Sequence, residues 1–355
     1  MFRIFLIFVT ISSISVASTA ASKPVPSSGK TRRALVIGID GARGDLIYNQ
    51  AWVQQRAPNL QKLMASGKFA VCKDVYDTQC ARTHSGPKTG RGFQWLTAPG
   101  WASVLTGVDN SKTQVFDNRD ASFLNFMKST KTYPTFLKRL RDEAGVKVAA
   151  SGVGAFMVSA HKKDIKAGIV DYECDSPEAR TMRISPAMTS SCNLDERRAG
   201  NSDDSKRDSK MTEWMKQQMA NPQMGLVMGV FDQVDEAGHE HGFGSNKYYT
   251  GAIAATDGLI GDLMTVVKTR ALQEGEEWLV ILTSDHGGHR LLTFGMHDTW
   301  PDHDTAVPFV VATLGISLPP LKDLTYPVTQ MDTHATVMQW FGKESPKSDG
   351  RVQGL

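Results

Sequence analysis

The sequence has almost no excess of charge of either sign. Its 355 residues include 40 Lys and Arg against 37 Asp and Glu, so the formal net charge at pH 7 is +3. A protein that holds a long nucleic acid in a groove neutralises many phosphates with basic residues, and this small excess does not supply that field. We therefore expect no long nucleic-acid partner. The apolar content of 41% is ordinary for a folded, enzyme-sized chain.

Long apolar runs are also scarce. The first, residues 4–16, follows Arg3 and precedes a stretch of small residues, which is the layout of a cleaved secretory signal. It is shorter than the roughly 20 apolar residues of a membrane span and is diluted with Ser and Thr. No second run of spanning length stands out. We expect a signal peptide at residues 1–22, no stable membrane span after its cleavage, and a secreted or periplasmic protein.

Cysteine is rare, and all four cysteines lie beyond the signal segment. An even number is expected where disulfides persist, and sequence alone leaves three pairings open. The simplest pairs Cys72 with Cys80 and Cys174 with Cys192, since each bridge would then close one polar segment. A zinc site built from all four is the weaker interpretation, because neither pair has the short gap of a structural zinc knuckle.

Apolar runs typical of buried strands alternate with helical patterns along the rest of the chain. The first run, residues 32–40, is continuous and ends in Asp40. Further strands are predicted at 147–152, 225–231, 278–285 and 307–312, with helical patterns around 134–143, 209–220, 248–270 and 332–341. This alternation predicts an α/β fold, a three-layer sandwich around a mostly parallel central sheet. Ligands bind such sheets beyond the carboxyl ends of the strands.

Two polar segments interrupt this alternation. Residues 72–93 are basic and rich in glycine, and residues 172–208 carry two of the cysteines. No internal repeat and no interdomain linker is evident in the sequence. We therefore predict a single domain over residues 30–355, with insertions at 72–93 and 172–208.

Acidic and imidazole groups cluster where the predicted strands end. Asp40 ends the first strand, "FDQVDEAGHEHG" (231–242) and "TSDHGGH" (283–289) end two more, and "GMHDTWPDHDTAVP" (295–308) precedes the last. Each has an ordinary explanation, since Asp40 alone suits a turn or helix cap and Asp235 with His239 suits a surface ion pair. Together they suit zinc, and two zinc ions that share a phosphate group need about six such side chains at one rim.

A hydroxyl stands at the start of "LTAPGWASVLTG" (96–107). Thr97 begins an apolar helical pattern with Pro99 at an early position, so it is typical either of a helix N-cap or of a nucleophile held at a helix N-terminus. In the second case the donors of the first turn would place positive character beside an incoming phosphate.

These stretches have a known counterpart. Taken in order, "VIGIDGARGD", "APNLQKLMASG", "LTAPGWASVLTG", "FDN", "DEAGHEHG" and "TSDHGGH" resemble the alkaline phosphatase superfamily, and within it the type I phosphodiesterase/nucleotide pyrophosphatase family, over about residues 33–342. The resemblance implies an alkaline-phosphatase-like catalytic domain and two Zn²⁺ ions. The residues it implies for one zinc are Asp40, Thr97, Asp285 and His286, with Thr97 also the nucleophile, and those for the other are Asp235, His239 and a late histidine. Asn118 matches the family asparagine whose amide contacts a phosphoryl oxygen.

The late histidine is where the sequence departs from the family. In relatives a His-Gly pair shortly precedes the Val-Pro or Ile-Pro that opens the last strand, and His297 lies 11 residues before the proline here. Asp298, however, stands in place of the glycine. His289 and His303 are neighbouring competitors, and we predict His297. We expect His289, His241 and His303 to support the site, to face substrate or to lie at the surface.

The resemblance favours a zinc-dependent phosphodiesterase or nucleotide pyrophosphatase that acts on a small phosphoester or nucleotide through a phosphothreonine intermediate. A phosphomonoesterase or phosphonate hydrolase of the same superfamily stays open, and a monoesterase would need a cation for the additional phosphate charge, for which Arg43, Arg82 and Arg91 are candidates. A sulfatase is disfavoured because no Cys-x-Pro-Ser-Arg pattern is present. From another class, a secreted inactive binding relative would be expected to lack a ligand or the nucleophile.

Two tryptophans flank the predicted nucleophile. Trp95 and Trp101, with the basic residues of 82–91, are candidates to contact a phosphate tail or a base. The commoner interpretation of each is a core tryptophan or a solvated loop.

Overall fold

The computed structural model describes residues 29–49, 55–83, 95–151, 172–173 and 204–355 of the chain. The predicted signal peptide at 1–22 and the second cysteine pair, Cys174 and Cys192, lie outside these residues. So do most of the predicted insertion at 172–208 and residues 84–93 of the one at 72–93.

A seven-stranded sheet forms the centre of the molecule. The strands, in chain order, are β1 (Arg32–Ile39), β2 (Gly67–Phe69), β3 (Ala81–Arg82), β4 (Lys147–Ser151), β5 (Tyr172–Glu173), β6 (Met224–Phe231), β7 (Glu277–Thr283), β8 (His289–Leu291), β9 (Phe294–Met296), β10 (Ala306–Val307) and β11 (Phe309–Leu314). The central sheet has the order β2-β11-β7-β1-β6-β4-β5. Its strands from β7 to β5 are parallel, whereas β11 is antiparallel to both β7 and β2. The prediction of a mostly parallel central sheet is confirmed.

Helices cover both faces of this sheet. They are α1 (Gly44–Asn49), α2 (Pro58–Ser66), α3 (Thr97–Thr106), α4 (Asn110–Thr113), α5 (Asp120–Ser129), α6 (Phe136–Ala144), α7 (Asp204–Ala220), α8 (Gln233–His241), α9 (Lys247–Gln273), α10 (Pro301–Thr305) and α11 (Asp332–Trp340). One core cluster holds the apolar faces of α1, α2, α7 and α9, and a second holds those of α3, α6 and α11. The two clusters lie on opposite sides of the strands, which is the predicted three-layer sandwich.

The continuous apolar run of β1 follows from its central position. Because successive side chains point to opposite faces of a strand, Leu35, Ile37 and Ile39 belong to one core cluster and Ala34 and Val36 to the other. A strand covered on both faces has no solvent-facing positions, so its sequence shows no alternation of polar and apolar residues.

Helix α9 is long and apolar enough to span a membrane by length and composition, and it is the described helix that meets both criteria. Its apolar stripe, which includes Ile253, Ile260 and Leu263, is packed into the core cluster shared with α2 and α7. A helix whose apolar stripe is buried in this way is typical of the core of a globular domain, and we interpret α9 as one.

The described part of the first insertion is fastened to the segment that precedes the last strand. Cys72 and Cys80 form a disulfide, which confirms the local pairing for this pair. Strand β3 then pairs with β10, and the Arg82 guanidinium donates to the carbonyl oxygens of Val75, Asp77 and Asp302. Arg82 therefore serves as a structural connector between two loops.

Candidate functional site

The strands that carry the predicted acidic residues are neighbours in the sheet. Strand β1 lies between β7 and β6, and all three are parallel. Asp40 directly follows β1, Asp285 lies two residues beyond β7, and Asp235 lies in the first turn of α8, which follows β6. Because the carboxyl ends of adjacent parallel strands share one edge, the three carboxylates meet there.

These three carboxylates are buried and only partly compensated. Asp40 is 1% exposed, Asp235 8% and Asp285 0%. One oxygen of each, Asp40 Oδ1, Asp235 Oδ1 and Asp285 Oδ2, has no hydrogen-bond partner. Burial and the nearby charges of the other carboxylates raise the pKa of Asp40 and of Asp285 well above the ordinary value. A divalent cation would supply the missing charge and the missing partners, so this donor set fits a metal ion.

The remaining oxygens are held by donors of the fold. The Trp101 indole Nε1 donates to Asp40 Oδ2 at 3.1 Å, and the Gly41 backbone N–H donates to Asp285 Oδ1 at 3.2 Å. Each contact fixes one oxygen of a carboxylate and leaves the other facing the cluster. Such outer contacts are what orient metal ligands in proteins.

His286 presents a free imidazole nitrogen to the same cluster. Its Nδ1–H donates to the Gly287 carbonyl at 2.7 Å, and burial lowers the pKa of His286 to about 3, so the ring is neutral with a lone pair on Nε2. This Nε2 lies 3.5 Å from Asp40 Oδ1, 3.4 Å from Asp285 Oδ2 and 4.0 Å from Asp235 Oδ1. The nitrogen therefore points at the same space as the free carboxylate oxygens.

Thr97 brings a hydroxyl to this nitrogen. It is the first residue of α3, and its Oγ1 lies 3.5 Å from His286 Nε2. The N-cap is Leu96, without a side-chain hydrogen bond, so the Thr97 hydroxyl does not cap the helix. The side-chain oxygen of Asn118 accepts from Ala98 N at 2.8 Å instead. The Thr97 hydroxyl is therefore not engaged in capping and lies beside the cluster of carboxylates and His286.

The first turn of α3 has few donors to spare. Ala98 N–H is bound to Asn118, Pro99 has no N–H, and Gly100 N–H donates to the Leu96 carbonyl. The expectation that several first-turn donors face a phosphate therefore needs correction. The N-terminus of α3 lies at the site, and Asn118 binds this helix end through Ala98 N–H.

A second group of ligating atoms adjoins the first. Asp235 Oδ2 lies 3.2 Å from His239 Nε2, one helical turn away on α8, and His239 Nε2 lies 3.2 Å from His297 Nε2. Burial tends to lower the pKa of His239, but the hydrogen bond and charge of Asp235 outweigh it and raise that pKa to about 9. The His297 Nδ1–H donates to the Trp95 carbonyl at 2.9 Å, and burial lowers the pKa of His297 to about 3.

The two groups form one continuous site. Ligand atoms of Asp40, Asp235 and His286 lie within 4.8 Å of one another, and so do those of Asp235, His239 and His297. Asp235 belongs to both groups, and the rings of His286 and His297 stack with their centroids 4.0 Å apart. The structure thus brings all seven predicted metal-ligating residues together, and Asn118 contacts the same helix end.

The two competing histidines, His289 and His303, and the third neighbouring histidine, His241, are not part of these two groups. His289 Nδ1–H donates to Asp304 Oδ1 at 2.7 Å, while its Nε2 lies 2.9 Å from Thr299 Oγ1. His303 packs edge-on against Tyr76 and Trp300, and His241 stacks on Tyr248. His289 therefore braces the loop that leads away from His297, and His303 and His241 are partly buried against other aromatic side chains.

Two of the three arginines considered as candidates for phosphate binding, Arg43 and Arg82, form hydrogen bonds within the fold. Arg43 forms two hydrogen bonds to the Asp45 carboxylate, at 3.0 and 2.7 Å, and a third to the Phe243 carbonyl. Arg82 binds carbonyl groups of two loops, as described above, and Arg91 lies outside the described residues. Neither Arg43 nor Arg82 is available to neutralise an additional phosphate charge.

Two glycines and a tryptophan shape the site in ways that sequence reasoning did not identify. A Cβ at Gly41, where φ is +65°, would lie 2.4 Å from Asp235 Oδ1, and one at Gly100 would lie 2.6 Å from the Asp285 carbonyl oxygen. Trp101 is fully buried and binds Asp40, so it does not contact a base. The signal for the glycines was their position next to Asp40 and within the first turn after Thr97, where only a residue without a side chain permits such close approach.

Comparison with known proteins identifies a family whose model matches this chain. The family model for type I phosphodiesterase / nucleotide pyrophosphatase matches residues 34–331. None of the curated proteins matches the chain by sequence.

Solved structures share the fold at low sequence identity. A 2-O GAG sulfatase is 14% identical with a TM-score of 0.59, and the match covers 91% of this chain and 73% of that one. Murine ectonucleotide pyrophosphatase/phosphodiesterase 5 is 12% identical with a TM-score of 0.57, covering 90% and 97%, and an inactive variant of it was solved in complex with AMP. The lipoteichoic acid synthase LtaP from Listeria monocytogenes is 15% identical with a TM-score of 0.51, covering 92% and 77%. These likenesses confirm the predicted alkaline-phosphatase-like fold.

The contact between α3 and the end of β7 yields a first prediction. Gly100→Ala adds a Cβ 2.6 Å from Asp285 Cβ, so the helix or the strand end must shift, and the free energy of unfolding should fall by about 1–3 kcal/mol. Urea unfolding, with zinc titration alongside, measures both the fold and the site. Gly258→Ala in α9 is the matched control, because no heavy atom lies within 4 Å and the change should stabilise by up to about 1 kcal/mol. Wild-type unfolding and zinc binding in Gly100→Ala would refute the tight contact.

Proposed function

The chain belongs to the type I phosphodiesterase/nucleotide pyrophosphatase family, and from this membership and its site we propose a zinc-dependent phosphodiesterase or nucleotide pyrophosphatase that acts through a phosphothreonine intermediate. The family points to a phosphoester hydrolase of the alkaline phosphatase superfamily. The finer proposal is supported chiefly by one observation: the Thr97 hydroxyl, free of any capping role, lies 3.5 Å from His286 Nε2 at the edge of three buried carboxylates.

The ligand atoms fall into two adjoining zinc sites. Asp40, Thr97, Asp285 and His286 would hold one zinc, and Asp235, His239 and His297 would hold the other. Carboxylate oxygens and neutral imidazoles are the ligands that zinc takes in catalytic sites. When bound, the zinc ions would lower the pKa of the Thr97 hydroxyl and balance the negative charge of the phosphate group.

The reaction would run in two displacements at phosphorus. In the first, Thr97 Oγ1 forms a bond to phosphorus as the bond to the leaving oxygen breaks, and the hydroxyl proton is lost. In the second, a water oxygen attacks the phosphothreonine, the Oγ1–P bond breaks, and Thr97 regains a proton. The residues around Thr97 hold it in place for both steps, since α3 is packed directly against Asp285.

Asn118 has a divided role in this scheme. Its Oδ1 accepts from Ala98 N, which orients the amide and leaves Nδ2 as a donor at the same helix end. We propose that Nδ2 donates to a phosphoryl oxygen, as the resemblance implies, and an oxyanion-hole donor of this kind contributes about 2–4 kcal/mol in the transition state.

The charges around the site favour a diester over a monoester. A monoester carries an additional negative charge, and Arg43 and Arg82 are bound to Asp45 and to backbone carbonyls. A sulfate ester is disfavoured because Thr97 stands at the nucleophile position. An inactive binding protein is disfavoured because every ligand and the nucleophile are present. The Cys72–Cys80 disulfide supports an oxidising compartment, consistent with a secreted or periplasmic enzyme.

A panel of four substrates tests the reaction class. We expect hydrolysis of bis-p-nitrophenyl phosphate and of a p-nitrophenyl nucleotide ester, with much slower turnover of p-nitrophenyl phosphate and of p-nitrophenyl sulfate. A chelator should abolish the activity and added zinc should restore it. Preference for the monoester or the sulfate would overturn the substrate assignment, and chelator-resistant activity would overturn the metal assignment.

Replacement of Thr97 tests the nucleophile. Thr97→Ala should lower kcat by more than about 10³-fold because no other hydroxyl replaces it, whereas Thr97→Ser should retain part of the activity. Zinc content by mass spectrometry should stay near that of the wild type, since the carboxylate and imidazole ligands remain. Thr265→Ala, which removes an exposed hydroxyl from α9, is the matched control and should be fully active. Sustained turnover by Thr97→Ala would eliminate the phosphothreonine intermediate.

Asn118→Asp separates the two halves of the Asn118 amide. The variant keeps an oxygen for Ala98 N–H but loses the Nδ2 donor and adds a negative charge, so kcat should fall by about 10²–10³-fold with unchanged thermal unfolding. Steady-state kinetics and a melting curve give the two readouts. If Asn118→Asp were as active as the wild type, Asn118 would serve only as a helix cap.

A further inference from the structure

Asp298 occupies a backbone conformation that a side chain makes costly. Its φ is +80°, in the region that favours glycine. Among the described residues, Gln114 and Leu292 also have positive φ without being glycine, but the first ends helix α4 and the second lies in the turn of the β8–β9 hairpin. Asp298 lies at neither kind of position, and strained residues of this kind concentrate at functional sites.

The Asp298 side chain has a specific partner across the site. Its Oδ1 accepts from the backbone N–H of Trp95 at 3.3 Å. The carbonyl of Trp95 in turn accepts from His297 Nδ1–H at 2.9 Å. Two hydrogen bonds of opposite direction therefore connect residue 95 to the adjacent pair 297–298, and we call this arrangement the Trp95 clasp.

The clasp joins the two halves of the site. Trp95 lies two residues before Thr97, the first residue of α3. On the other side, donation by Nδ1–H leaves the His297 Nε2 lone pair facing His239 Nε2 at 3.2 Å. If the Trp95 backbone rotated, the His297 ring would lose the acceptor that sets both its orientation and its tautomer.

We propose that Asp298 is a positioning residue, whose carboxylate holds the Trp95 backbone and thereby fixes the His297 ring and its tautomer beside the segment that leads to Thr97. A glycine, which the family resemblance leads one to expect at this position, would adopt the same φ without cost but would offer no acceptor. Asp298 therefore adopts an unfavourable backbone conformation but makes a hydrogen bond that a glycine could not make. The consequence for zinc binding rests on the proposed function, whereas the clasp itself does not.

The rest of the loop is fixed independently of the clasp. Asp304 Oδ2 accepts from the backbone N–H groups of Thr299 and Trp300, both at 2.9 Å, and its Oδ1 binds His289. These contacts hold the chain directly after Asp298 without involving Trp95. A substitution that removes the Asp298 acceptor is therefore expected to release the clasp while the following helix α10 stays in place.

Four variants, of which Asp298→Ala is described below, separate the hydrogen bond from backbone strain. Asp298→Gly removes the acceptor and the strain, Asp298→Asn keeps an acceptor oxygen and tolerates positive φ, and Leu292→Gly removes another positive-φ side chain from the same segment without touching Trp95. Metal-free protein is used first, with amide hydrogen exchange at Trp95 and long-range ¹H–¹⁵N spectra of the His297 ring. Zinc titration of the same samples follows, and urea unfolding reports whether each variant is folded.

In wild type, Asp298→Asn and Leu292→Gly we expect a protected Trp95 amide and His297 protonated on Nδ1. In Asp298→Gly we expect the protection to fall by at least about 10-fold, the ring to populate both tautomers, and the weaker-bound zinc to lose about 10- to 100-fold in affinity. Asp298→Ala, which keeps the strain without the acceptor, should match Asp298→Gly in these readouts.

Two results would overturn the proposal. One is wild-type Trp95 protection and His297 tautomer in Asp298→Gly. The other is equal impairment of Asp298→Asn and Asp298→Gly, which would mean that the negative charge matters and the acceptor does not. A wild-type protein that shows the Trp95 and His297 signatures but takes up no zinc would instead refute the proposed function and leave the clasp intact.

Discussion

Three buried carboxylates of like charge face one another at the carboxyl ends of β1, β6 and β7, and much of the structure serves to keep them there. Each has one oxygen without a hydrogen-bond partner, so the cluster is unfavourable by itself and favourable around a cation. The two core clusters fix the strands that carry the carboxylates, Trp101 fixes the rotation of the Asp40 carboxylate, and the Gly41 amide fixes that of Asp285. The carboxylate cluster therefore lowers the free energy of unfolding, and the binding of a metal ion would raise it again.

The sequence was most informative about side chains whose position depends on where a strand ends. A buried parallel strand that ends in Asp40 and another that runs into Asp285 and His286 place their side chains at the same edge, whatever the loops do. The alternation of strands and helices predicted the α/β fold, and the family resemblance supplied the ligand set that lies at this edge. The choice of His297 over His303 depended on a loop. In the structure the β8–β9 hairpin and the His289–Asp304 pair direct that loop so that His297 faces His239.

Several side-chain contacts around the site could not be predicted from the sequence. Trp101 fits a core tryptophan equally well whether or not its indole reaches a carboxylate 61 residues away. The capping of α3 from outside, by Asn118 and without the helix's own threonine, depends on how a later loop folds back. From the sequence, Arg43 and Arg82 are candidates for available cations. In the structure Arg43 binds Asp45 and Arg82 binds several backbone carbonyls. The Trp101 and Asn118 contacts join separate segments, which local patterns do not encode, whereas the Arg43–Asp45 pair lies within one turn and depends on side-chain orientation.

The close packing of Gly100 against Asp285 limits how the site can change. A side chain there would collide with the backbone of Asp285, so helix α3 and the end of β7 are in direct contact and cannot approach each other further. A shift of Thr97 at the start of this helix would therefore also displace Asp285. On the proposed function, a change of ester preference is therefore more accessible through residues away from this contact than through Thr97 or Asp285.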